Sequence, residues 1–169
     1  RDGGLLLAIG NAGTLAVQGG IVRDVEVLRG GAVSTPGSAL RARVLRPGHP
    51  VAYGFETAPT VFRGHGPLFA VEERHRDLVV LQFGTRLPEE ERKGPAEGGP
   101  AGNPAPLLLS GGIRGEASLE GKPAILDLPS GKGRVVLFAF DPLHRYLTHA
   151  HFRYVFNAIL NWNDLPGRS

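Results

Sequence analysis

Cysteine and methionine are both absent from the 169 residues. The first absence excludes disulfides, thiolate zinc sites and a cysteine nucleophile, and leaves the redox compartment undecided. Aromatic residues are scarce at 7%, with a single Trp, so there is little to stack on nucleic-acid bases. The arginines are scattered and the net charge is only +3, which argues against a nucleic-acid surface. No apolar run approaches the roughly 18–20 residues that span a bilayer, and no signal-peptide pattern opens the chain. It begins Arg1-Asp2-Gly3-Gly4 and enters an apolar run at once. With no Met, this reads as a piece of a longer polypeptide, so the missing signal says nothing about where the parent protein resides. No internal repeat is present, and the length suits one domain.

Glycine and proline are plentiful, and they divide the chain into short elements. Leu5 to Ile9 is an apolar run bounded by glycines, the pattern of a strand buried on both faces. Gly10-Asn11-Ala12-Gly13 reads as a sharp turn into a short helix over Thr14 to Gln18. Ala39 to Leu45 alternates apolar residues with Arg, as a half-exposed strand does. Further strands are expected at Ile21 to Leu28, Val61-Phe62, Pro67 to Val71 and Leu78 to Phe83, and Leu107 to Leu109 is a short apolar run. Residues 85–106, rich in Glu, Gly and Pro, are expected to form a mobile solvated loop within a single domain spanning 1–169. Ala124 to Leu128 and Arg134 to Phe140 read as two strands joined through Pro129-Ser130-Gly131-Lys132-Gly133 as a hairpin. At the end, Thr148 can cap a helix whose apolar positions are Phe152, Val155, Phe156, Ile159 and Leu160. If that stripe is core, Phe156→Ala costs about 3–5 kcal/mol.

Three motifs carry candidate chemistry. The glycine-rich turn at Gly10-Asn11 can present backbone N–H groups to an anion, but it matches neither the Walker nor the dinucleotide spacing. Its alternative reading is that small residues let the chain turn sharply. His144, His149 and His151 are close in sequence, yet residues two apart on a helix face different ways and no His-Glu-x-x-His pattern is present. Surface or capping histidines are the alternative to a metal site. Asp141, in Phe140-Asp141-Pro142, follows a strand end, where ligands bind in parallel α/β sheets; it is also ordinary turn chemistry. No Ser sits in Gly-x-Ser-x-Gly, and Glu116, Glu120 and Asp127 carry no distinguishing pattern.

The opening and closing motifs resemble those of class I glutamine amidotransferases. Gly3-Gly4 and the run to Gly10 are similar to that family's Gly-Gly-x-x-x-Gly-x-Cys-x-Gly, with Gly10 at the Cys position and Ala12 at the following Gly. Val136 to Leu143 is similar to its last strand, which ends Phe-His-Pro-Glu, with Asp141 at the His and Leu143 at the Glu. All three catalytic positions therefore depart from the pattern. Over most of the chain, Pro36 to Val44, His49 to Gly54, Gly131 to Phe138 and Thr148 to Arg153 resemble the degenerate amidotransferase-like domain that follows bacterial zinc carboxypeptidases of the funnelin family. The resemblance implies a three-layer αβα sandwich of flavodoxin-like type, lacking part of its N-terminal half and carrying antiparallel additions. It also implies a secreted or periplasmic parent peptidase whose zinc motif is not found in this sequence.

These readings set the expectations. The domain itself is non-catalytic and holds no cofactor; zinc is implied only for the parent peptidase. Its partner is the peptidase domain of the same polypeptide, with self-association through an open sheet edge at Leu5 to Ile9 as a further expectation. The alternative is a binding module for a small molecule, sugar or peptide at Gly10, Asn11, Asp141 and His144.

Overall fold

The computed structural model describes residues 3–28, 33–86 and 105–165. Most of the solvated loop expected over 85–106 lies outside the described residues.

The centre of the fold is the hairpin read from the sequence. Strand β8 spans Pro123–Ser130 and β9 spans Gly133–Phe138. Ser130 pairs with Gly133, so the turn is Gly131-Lys132 alone, with Gly131 at φ 61° in the left-handed region where glycine is favoured. Positions 123–128 and 135–140 are buried throughout. Strand β1, Leu5–Ile9, lies parallel to β9, in a register running from Leu5↔Arg134 to Ile9↔Phe138. On the other side of β8 comes β6, Val79–Phe83, then β3, Ser38–Val44, then β4, Thr60–Arg63. Strand β7, Leu108–Ser110, also pairs with β3. A separate ribbon joins β2, Glu26–Val27, to β5, Phe69–Ala70.

The chain is thus a mixed α/β fold whose seven-stranded sheet is mostly antiparallel. The β1–β9 pair is parallel, and every other pairing among the described strands is antiparallel. A two-residue turn can join only antiparallel neighbours, whereas parallel neighbours need a crossover of a dozen residues or more. Strand β3 alternates as expected: Leu40, Ala42 and Val44 are buried, while Arg41 and Arg43 are half-buried.

Two expectations about burial require correction. Strand β1 is not buried on both faces. It is the edge of the described sheet, only Ala8 is buried, and Leu6 is exposed. An apolar run records hydrophobicity without recording how many neighbours cover it.

The second correction concerns the last helix. Helix α1 spans Asn11–Gln18, α2 spans Glu116–Leu119 and α3 spans His149–Leu160 after Thr148, whose side chain makes no capping bond. The helix stands where expected, but the buried face is His151, Tyr154, Val155 and Ala158. Phe156, Ile159 and Leu160 are exposed. The two stripes share only Val155. Small Ala158 faces inward while the bulkier Phe156 faces out, so size did not mark the inner face.

The core beneath α3 is aromatic. The Phe140 ring sits 6.1 Å from Phe138, 6.5 Å from Phe83 and 6.2 Å from Tyr154, each edge-on, the geometry that ring quadrupoles favour. Tyr154 stacks on Phe55 at 3.7 Å.

Candidate functional site

The parallel β1–β9 pair brings the sequence-derived candidates to one end of the sheet. The N–H of Gly10 donates to the Phe138 carbonyl at 2.9 Å, closing β1 onto β9 before the chain turns into α1. Gly10 has φ 56° and ψ −126°, a conformation an L-residue adopts only with strain. The sharp strand-to-helix turn read from the sequence is therefore present and its apex has no side chain, but the helix begins at Asn11 and not at Thr14, so Asn11, Ala12 and Gly13 belong to α1. Asn11 follows as the exposed first residue of α1.

On the neighbouring strand end, Asp141 accepts from the Leu143 N–H through Oδ1 at 2.9 Å, which makes it a turn residue. Its Oδ2 lies 3.8 Å from His144 Nδ1. His144 stacks on Phe62 at 5.1 Å. The two residues that follow, Arg145 and Tyr146, have φ of 48° and 59°, two consecutive non-glycine residues in the left-handed region. Such conformations persist only where surrounding contacts impose them. Here Tyr146 leans over Phe152, ring centres 5.1 Å apart.

The segment after β4 abuts the same strand end. A Cβ on Gly66 would meet the Ala139 carbonyl oxygen at 2.3 Å, so only glycine allows that approach. Buried Arg63 anchors the segment by donating to the carbonyls of Gly66, at 2.7 Å, and Pro67, and to Thr35 Oγ1. Burial lowers its pKa from the ordinary guanidinium value.

The histidines do not converge. His149 is exposed beside Tyr146, while His151 is buried and its Nε2 donates to the Thr60 carbonyl at 2.9 Å. Among the described residues, no three His, Asp or Glu side chains gather as metal ligands. Also among them, no helix is long and apolar enough to cross a membrane.

Burial lowers the His151 pKa and outweighs the opposing bond to Thr60. The unfolded chain therefore takes up this proton first. The stability that neutral His151 contributes is full above its ordinary value of 6.5 and is lost as pH falls toward the folded value. Urea denaturation is expected to show stability falling as pH drops below about 6.5. His151→Gln is expected to flatten that slope; an equal slope in the variant would remove His151 as the cause.

A polar cluster that the sequence did not single out lies inside the protein. Asp127 on β8 is fully buried. Arg134 on β9 grips it with both ends of its fork, Nε to Oδ1 at 2.9 Å and a terminal nitrogen to Oδ2. His49 Nε2 reaches Oδ2 at 2.9 Å, while His49 Nδ1 accepts from the Val51 N–H at 3.3 Å. That acceptor role leaves Nε2 to carry the hydrogen facing Asp127. Burial alone would raise the Asp127 pKa, but the bonds and charges of His49 and Arg134 outweigh it, and the net direction is down. With His49 and Asp127 both sealed from solvent, this is a pin joining the His49 turn to the sheet. The available signal was a lone Asp between Leu126 and Leu128 in a buried run, since a buried charge demands partners.

A cleft of about 180 Å³ lies elsewhere, lined in part by Leu45, Arg76, Gln82 and Lys122. None of Gly10, Asn11, Asp141 and His144 lines it.

No protein-family model matches the chain, and no curated protein matches it. Among solved structures it is similar to "Cytoplasmic Protein STM3548 from Salmonella typhimurium", with 15% sequence identity and a TM-score of 0.49. The likeness covers 94% of this chain and 55% of that one, so the chain spans about half the length of that relative.

Proposed function

We propose that this chain is a non-catalytic accessory domain of class I glutamine amidotransferase-like, flavodoxin-related descent, belonging to a bacterial zinc carboxypeptidase-type protein. In this reading it packs against the peptidase domain of the same polypeptide or positions substrate for it, in a secreted or periplasmic setting. The observation that carries the non-catalytic part is the apex at Gly10: a sharp strand-to-helix turn with no side chain on it. Nucleophilic catalysis needs a nucleophile within reach of a base. After the neighbouring strand β9 come Asp141, whose carboxylate accepts from the Leu143 N–H, and the aliphatic Leu143.

The purified domain is expected to release no ammonia from glutamine or simple amides. Measurable turnover by the purified domain would overturn the reading, and its loss in Asp141→Ala or His144→Ala would place the activity at this end of the sheet. The link to a peptidase is tested by the reading frame upstream of Arg1, where a zinc carboxypeptidase signature supports it and an unrelated enzyme removes it.

A second reading is a binding module at the same end of the sheet, for a small molecule, sugar or peptide. It is favoured by the gathering of Gly10, Asn11, Asp141 and His144 beside Phe62, and by the two left-handed residues after His144. A ligand that raises the melting temperature of the protein but not of Asp141→Ala would support it. No shift across a broad panel would count against it.

A further inference from the structure

A helix that is apolar on one side buries that side; a helix apolar on both sides calls for a second cover. Helix α3 is of the second kind. Its inner face, His151, Tyr154, Val155 and Ala158, meets the core. Its outer face carries Phe152, Phe156, Ile159 and Leu160, and Tyr146 extends the stripe by packing on Phe152. The stripe is well exposed: 68% for Tyr146, 56% for Phe156, 50% for Ile159 and 78% for Leu160. Taking about 200 Å² for a fully exposed large side chain, these four alone present roughly 500 Å². That lies in the range of the largest apolar patch on a monomer, about 300–600 Å², and such patches are often functional.

We propose that this outer stripe of α3 is a self-association face, on which a second copy of the chain lays the same helix across a two-fold axis. Three features fit a second copy. His149, Phe152, Phe156 and Ile159 follow the three-and-four spacing of a helix–helix seam. A two-fold interface sets the patch against itself, so it must be self-complementary. This one is, because α3 contains no acidic residue and its one Arg is turned away: Arg153 donates to the Gly54 carbonyl and lies over the Phe55 ring. No like charges meet, and no charged partner is called for. The area also suffices. Two copies that covered these side chains fully would bury roughly 1,000 Å², about what a specific interface must clear, before neighbouring groups are added.

A second copy on the outer face of α3 leaves the sheet, rather than this helix, to meet the peptidase domain of the accessory-domain reading. Sedimentation equilibrium across the micromolar range is expected to show a reversible dimer. Phe156→Glu and Leu160→Glu, both at exposed positions, are expected to give monomers with unchanged circular dichroism. Leu6→Glu on the open β1 edge is expected to leave the dimer intact. A chain that stays monomeric at every concentration would overturn the proposal. So would a dimer that survives both α3 substitutions, or one that Leu6→Glu dissolves while they do not.

Discussion

Asp127→Ala is expected to lose about 3–5 kcal/mol of stability, a large part of the roughly 5–15 kcal/mol that keeps an ordinary domain folded. The loss arises from what is left behind: Arg134 keeps its charge beside a vacated site, and His49 Nε2 faces no acceptor. Arg46, whose pKa burial also lowers, feels Asp127 as a favourable charge and loses that too. The pH dependence gives an independent signature. The Asp127 pKa is lowered in the fold, so its contribution is present above its ordinary value of 3.8 and is lost as pH falls through the folded value. The gap between wild type and Asp127→Ala in chemical denaturation is therefore expected to be full near neutrality and to narrow in strong acid. A gap below about 1 kcal/mol at pH 7 would show that the cluster does not hold the sheet to the His49 turn.

Tyr154→Ala is expected to cost about 3–5 kcal/mol, and Phe156→Ala under about 1 kcal/mol when measured on dilute protein. The contrast isolates the orientation of α3. Tyr154 is fully buried, stacked on Phe55 and edge-on to Phe140, so its removal opens a cavity in the aromatic core. Phe156 stands in solvent. The Tyr154 hydroxyl is buried without a hydrogen-bond partner among the described residues, and burial raises its pKa. Tyr154→Phe is therefore expected to be neutral or slightly stabilising, because it removes a desolvated polar group and keeps the ring. The three midpoints in urea decide the matter. A large loss in Phe156→Ala with a small one in Tyr154→Ala would mean that the helix is rotated from the arrangement described.

That rotation marks how far the sequence could be read. The hairpin of β8 and β9, the alternation in β3, the turn at Gly10 and the existence of α3 were all legible, because each depends on residues close together in the chain. What depends on distant partners was not. Periodicity finds an apolar stripe but cannot choose between two on one helix, and the inner face of α3 includes a histidine whose partner is Thr60, 91 positions away. Leu5 to Ile9 reads both as a strand buried on two faces and as an open edge, because the run itself does not say which neighbours it has; in the structure it is the edge of the described sheet. Gly10, Asn11, Asp141 and His144 were readable as motifs at the two ends of the chain, and the β1–β9 register brings those ends to one end of the sheet. The Asp127 cluster joins residues from a turn and two strands, with His49 lying 78 positions from Asp127; only the isolated acid in an apolar run betrayed it.

The β1–β9 pairing also has a consequence in time. Leu5 finds its partner at Arg134. At a synthesis rate of about 5–20 residues per second, β1 emerges from the ribosome roughly ten seconds before β9 exists to receive it. During that interval Leu5–Ile9 lacks the strand it pairs with, while the β8–β9 hairpin, once made, can close locally within microseconds. The β1–β9 pairing is therefore among the last of the described strand pairings to be secured.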